Sequence, residues 1–128
     1  MNDLIYASTA TLAQAIRAKD VSSVELVTAC LERIEAVNPQ LNAVVQVAAD
    51  SALEQARAAD AALARGEVGG PLHGVPMTIK DSFDTADLVS TWGIQPDERV
   101  TCRNKMRPLW PGSRRRGLSC WAKQTPLN

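Results

Sequence analysis

Lys80 closes an apolar run, Val75-Pro76-Met77-Thr78-Ile79, and is followed at once by Asp81. A lysine delivered by an interior strand has two fates. It either carries its ammonium out to solvent, or it is desolvated, gives up its proton more readily and becomes a base able to take a proton from a hydroxyl. Spacing alone favours the first. The other groups capable of chemistry are scattered. His73, between Leu72 and Gly74, is the only histidine and reads as a packed loop residue. Cys30, Cys102 and Cys120 lack the paired spacing of a zinc site. Asp81, Asp84 and Asp87 fall three apart without the pattern of a calcium loop and are expected to serve turns and backbone hydrogen bonds. No glycine-rich phosphate loop of the right form occurs. No metal and no cofactor are therefore expected.

The elements that would position Lys80 punctuate clearly. Ser8 and Thr9 can cap a short helix with Leu12 and Ile16 on one face, ending near Lys19-Asp20. Ser22 and Glu25 have the spacing of a capping box, after which Val24, Val27, Leu31 and Ile34 recur at helical spacing until Asn38-Pro39 is expected to stop the helix. Leu41 to Val47 reads as a strand. Asp50 or Ser51 then opens an alanine-rich helix running to Arg65-Gly66, with the glycine placed as a C-terminal cap. Gly69-Gly70-Pro71 makes a turn into a short strand, Val75 to Ile79, that delivers Lys80.

The string Gly70-Pro71-Leu72-His73-Gly74-Val75-Pro76-Met77-Thr78-Ile79-Lys80-Asp81, continued by Ser82-Phe83-Asp84-Thr85-Ala86, resembles the segment of the amidase signature family that carries its catalytic lysine. Ser22-Ser23-Val24-Glu25-Leu26, Arg33-Ile34-Glu35 and the Asn38-Pro39-Gln40-Leu41-Asn42-Ala43 turn are also similar to that family's N-terminal part, so the resemblance covers roughly residues 8 to 93. It implies a mixed β-sheet covered by helices. It also implies hydrolysis of a carbon–nitrogen amide bond, or release of ammonia from an amide for transfer, by a Ser–cisSer–Lys triad. In that triad one serine attacks the carbonyl, a bridging serine relays its proton, and a neutral lysine accepts it. Lys80 matches the lysine. The two serines have no counterpart: nothing like Gly-Ser-Ser-Gly-Gly occurs after Lys80, and Ser82, Ser90, Ser113 and Ser119 lack that context.

The chain changes character after Gly93. Residues 1–93 hold 6 Lys and Arg against 12 Asp and Glu, whereas residues 94–128 hold 8 against 2. The second stretch has four prolines and no sustained apolar period, which by itself predicts an irregular tail. A slipped reading frame accounts for the change. If each new codon starts at the third base of an old one, Trp121-Ala122 must give glycine, Trp110-Pro111 alanine and Cys120-Trp121 leucine. With permitted third bases, Lys105 through Leu127 regroups to Asp-Ala-Thr-Val-Val-Ala-Arg-Leu-Ala-Ala-Ala-Gly-Ala-Ile-Leu-Leu-Gly-Lys-Thr-Asn-Pro-Phe-Glu. That string restores an alanine-rich helix and then an apolar strand, and it is similar to the stretch downstream of the lysine segment in amidases. In this reading Arg114-Arg115-Arg116 needs no ligand.

The fold class expected is α/β, the N-terminal fragment of the amidase signature fold, helix-rich over residues 8–65. Residues 1–93 form part of an amidase domain, and 94–128 a non-homologous basic tail. The expected function is that of an amidase or amidotransferase subunit, with Lys80 the catalytic residue and this chain inactive alone because both triad serines are missing. The expected partners are a small-molecule amide in the full-length enzyme and, by family, an oligomer or amidotransferase complex. No apolar run approaches the roughly 18 residues of a membrane span, so no membrane partner and a cytoplasmic location are expected. Two alternatives come from other classes. One is a small protein binding nucleic acid through Arg103, Lys105, Arg107 and Arg114 to Arg116 with Trp110 and Trp121. The other is a non-catalytic interaction fragment.

Overall fold

The structure, a computed structural model, describes residues 4–83, 85, 88, 90 and 91 and, as backbone, 119–124. After a turn of 3-10 helix at Leu4–Tyr6, the order is α1 (Thr9–Ala18), α2 (Ser23–Leu41), β1 (Val44–Val47), α3 (Ala49–Ala64), β2 (Pro76–Lys80) and β3 (Ser119–Gln124). No described helix is long and apolar enough to cross a membrane.

The helix ends follow from local chemistry. Ser8 accepts a hydrogen bond from Thr11 N at 3.1 Å and opens α1. Ser22 and Glu25 form both halves of the capping box: Glu25 N donates to Ser22 Oγ, and Ser22 N donates to Glu25 Oε2. The Ser22 N–H, and with it the Ser22 hydroxyl, donates to Oε2 and holds the Glu25 carboxyl below the usual carboxylate range. Gly66, at φ +79°, closes α3 with paired bonds from Gly66 N to Leu63 O and Glu67 N to Ala62 O. The same pair of bonds closes α1, from Lys19 N to Ile16 O and Asp20 N to Ala15 O, but there the left-handed residue is Lys19 at φ +63°.

Three boundaries differ from the sequence expectation. α2 does not stop at Asn38-Pro39 but runs to Leu41, because Pro39 and Glu35, whose carbonyl loses its partner, both face solvent. The Asn38 side chain then brackets the chain reversal, donating to Val44 O and accepting from Val44 N, each at 2.8 Å. β1 consequently begins at Val44 and not Leu41. α3 begins at Ala49, without a side-chain cap.

Two apolar clusters meet at the half-buried Cys30. Ile16, Leu26, Ala13, Val21 and Val75 form one, and Val27, Ala52 and Ala56 the other, with Val44 packed against it. Fully buried side chains such as Ile16 and Leu26 contribute roughly 1.5–3 kcal/mol each through transfer from water. Burial also raises the Cys30 thiol pKa, which leaves it a packing residue.

The sheet has the order β1-β3-β2, with β3 antiparallel to β1 and parallel to β2. The tail expected to be irregular therefore supplies the middle strand at 119–124. A parallel pairing needs a crossover of a dozen or more residues, and residues 81–118 provide that length. Thr78 pairs with Ala122 and Ala122 with Val47, so these three positions lie in one row across the sheet.

Two outcomes follow from the helix ends. Lys19→Gly relieves a left-handed lysine and is expected to stabilise the fold by about 1 kcal/mol, read as a higher denaturant midpoint. Because the folded-state pKa of Glu25 is depressed, its contribution is present above the unfolded carboxylate pKa and is lost as pH falls through the folded value. In Glu25→Gln the loss of melting temperature between about pH 7 and about pH 3 should be smaller than in the parent.

Candidate functional site

The loop entering β2 is held at several points. Arg17 donates to Gly70 O at 3.1 Å, tying the loop to α1. His73 is buried, with Nδ1 accepting from Gly69 N at 3.0 Å and Nε2 lying 2.9 Å from Ala59 O. Since Nδ1 accepts, the proton sits on Nε2 and is donated to the carbonyl. Both nitrogens are engaged, so His73 is a packing and tethering residue, as its sequence context suggested. Gly74 comes next at φ +76°, and a Cβ there would lie 2.0 Å from Ser23 Oγ. Ser23 is fully buried at the start of α2, where its N–H and that of Val24 donate to the two carboxylate oxygens of Asp60 on α3 at 2.8 and 3.1 Å. Sequence reading missed this clamp. Its signal is weak: one acid, flanked by alanines, facing a helix N-terminus that has positive charge to offset.

β2 then carries the chain from Val75, buried against Ile16 and Leu26, to Lys80. Alternation sets Thr78 and Lys80 on the sheet face opposite to Val75. Lys80 is exposed, the outcome that spacing alone favoured.

The segment after Lys80 is fixed by its neighbour. Asp81 is 1% exposed and accepts from Thr91 N at 3.1 Å to each carboxylate oxygen and from Thr91 Oγ1. Phe83 N donates to Lys80 O at 3.0 Å, Ser90 Oγ donates to Phe83 O at 3.2 Å, and Thr85 bridges Leu88. Asp81 thus closes the loop from 82 to 91 and serves backbone hydrogen bonding, as its turn context suggested. Asp84, Asp87 and Ser113 lie outside the described residues, as do the basic residues Arg103 to Arg116; Ser119 opens β3. Ser82 and Ser90 are half-buried. Among the described residues no group of three or more His, Cys, Asp or Glu could hold a metal ion.

A mixed three-stranded sheet with helices packed against it is an α/β arrangement. The family model described as Amidase matches residues 25–101, and the chain belongs to the amidase family. The A subunit of the glutamyl-tRNA(Gln) amidotransferase of Nocardia farcinica is 50% identical over 92 residues, covering 71% of this chain and 19% of that protein. A solved amidase superposes with a TM-score of 0.78 at 25% identity over 93% of this chain and 27% of its own. The native peptide amidase from Stenotrophomonas maltophilia gives 0.72 at 26% identity, covering 92% of this chain and 24% of its own. The chain spans about a fifth of the length of the curated relatives it matches.

Gly74→Ala combines a left-handed backbone, costing about 1–2 kcal/mol, with overpacking against Ser23, costing about 1–3 kcal/mol. A denaturant titration is expected to show a loss of roughly 2–5 kcal/mol, which Ser23→Gly in the same chain should partly restore.

Proposed function

We propose that Lys80 is the base of a Ser–Ser–Lys amidase centre, in a polypeptide that hydrolyses a carbon–nitrogen amide bond or releases ammonia from an amide for transfer. The observation that supports this most is the position of Lys80, at the end of β2 within the Gly70–Asp81 string and inside the family-matched stretch. A serine hydroxyl becomes a nucleophile for an amide only when a neighbouring base takes its proton. A lysine performs that task when desolvation and nearby dipoles lower its hold on the proton. The triad serines and the backbone donors of an oxyanion site belong to sequence not found here in the family's form, so the 128-residue chain alone releases no ammonia from amides. The relatives named as amidotransferase subunits support a transamidating complex as the setting.

Residues 1–93 are part of an amidase domain, and residues 94–128 are a shifted frame of the sequence that continues it. The position of β3 supports this reading, since Ser119–Gln124 coincides with Leu-Leu-Gly-Lys-Thr-Asn of the regrouped string. Sequencing the underlying DNA tests it: an open frame continuing in the regrouped sense, with a glycine- and serine-rich loop soon after, is expected.

For the catalytic assignment, residues 8–93 are grafted into the Nocardia farcinica relative and ammonia release is measured with a thermal melt for each variant. Lys80→Met is expected to lower turnover at least about 100-fold with little change in melting, because it keeps the apolar stem and removes the proton acceptor. Lys80→Arg should fail equally, since a guanidinium stays protonated. Near-normal turnover in Lys80→Arg removes the assignment.

A further inference from the structure

The segment after Lys80 doubles back on itself. Thr91 meets Asp81, Ser90 Oγ donates to Phe83 O and Thr85 bridges Leu88, so the contacts nest one inside the next, with the Asp81–Thr91 pair at the base beside Lys80. The Lys80 carbonyl is held as well, accepting from Phe83 N at 3.0 Å. At the base, two donations come from different parts of Thr91. Its N–H, 3.1 Å from each Asp81 oxygen, is a donor that any residue except proline carries, whereas the hydroxyl bonded to Oδ2 is what the threonine side chain adds. A carboxylate as buried as Asp81 needs such donors, because a charge in the interior is costly when its acceptor positions go unfilled.

We propose that Thr91 is a positioning residue for the reaction of Lys80 and acts through Asp81: its hydroxyl holds the Asp81 carboxylate, and with it the direction in which the chain leaves β2. The inference rests on the proposed function for the role of Lys80, and it adds a residue outside the Gly70–Asp81 string. Lysine carries its ammonium on a long flexible stem, so a swing of the backbone at Lys80 is passed on to the nitrogen. Misplacing a reacting group by about 1 Å can cost about 100-fold in rate. Without the Thr91 hydroxyl, Asp81 Oδ2 loses a charge-assisted bond, the base of the loop loosens, and the turn that pins the Lys80 carbonyl opens more often.

The test has a geometric readout and a chemical one. In the 128-residue chain, Thr91→Val removes the hydroxyl and keeps the branched shape. Hydrogen exchange of the Phe83 amide, which donates to Lys80 O, is expected to quicken at least about tenfold relative to amides within α2. Thr91→Ser, which keeps the hydroxyl, should stay near the parent. In the graft of residues 8–93 into the Nocardia farcinica relative, Thr91→Val is expected to lower kcat at least about tenfold with KM changed less than about twofold, and Thr91→Ser to recover most of the loss. A thermal melt of each variant accompanies the kinetics. Phe83 exchange that Thr91→Val leaves unchanged overturns the proposal. So does a kcat at the parent level, or a loss that follows the melting temperature, spreads to KM or persists in Thr91→Ser. The two readings fail differently. An inactive Lys80→Arg beside a normal Thr91→Val sinks the positioning role alone, whereas an active Lys80→Arg removes the base and, with it, the reaction that Thr91 would serve.

Discussion

Ser23 lies so close to Gly74 that a single methyl group at Gly74 would overlap its hydroxyl, and the placement of β2 depends on this contact. Three elements converge there. Asp60 from α3 caps the start of α2 through Ser23 and Val24, His73 reaches Ala59 on the same helix, and Gly74 slips beneath Ser23 in a left-handed conformation. The strand leaving Gly74 has little freedom of direction, since Val75 is buried against α1 and α2 one residue later. Lys80 is thus aimed by residues six and more positions upstream. The Ser23 hydroxyl is left without a hydrogen-bond partner among the described atoms, at a cost of about 1–3 kcal/mol, offset by the close packing that its small side chain permits.

Asp81 performs the corresponding task downstream. A carboxylate buried to 1% exposure is costly unless its oxygens accept hydrogen bonds, and the Thr91 amide and hydroxyl supply them. The loop between is drawn into a closed turn by its own first residue. Upstream clamp and downstream clamp together make the end of β2 a fixed point, which is what positioning a proton acceptor within hydrogen-bond reach requires.

Much of the fold was legible because it is local. Ser8, the Ser22–Glu25 box and Gly66 act within four residues of themselves, and each appears where its chemistry belongs. What escaped is non-local or decided by solvent. Pro39 is tolerated because the carbonyl it strands faces water, a fact carried by the orientation of α2 and not by the Asn-Pro pair. β3 could not be read from Ser119–Gln124, whose sequence shows no apolar alternation; its place follows from pairing with β1 and β2 on both sides. The Asp60 clamp spans 37 residues. Of the candidate site, the position of Lys80 was legible in its string and its exposure in its spacing, while the Asp60 and Gly74 contacts that aim its strand were not, because they join residues far apart in the chain.

That exposure bears on chemistry directly. A lysine in water keeps its proton through neutral pH, and one that acts as a base must lose solvent on most sides. Fixing a strand and desolvating the side chain at its end are separate tasks. The contacts at Gly74 and Val75 and the Asp81–Thr91 bonds accomplish the first, and they leave Lys80 exposed. A proton acceptor at this point of the sheet therefore takes its position from the residues on either side of it and its surroundings from elsewhere.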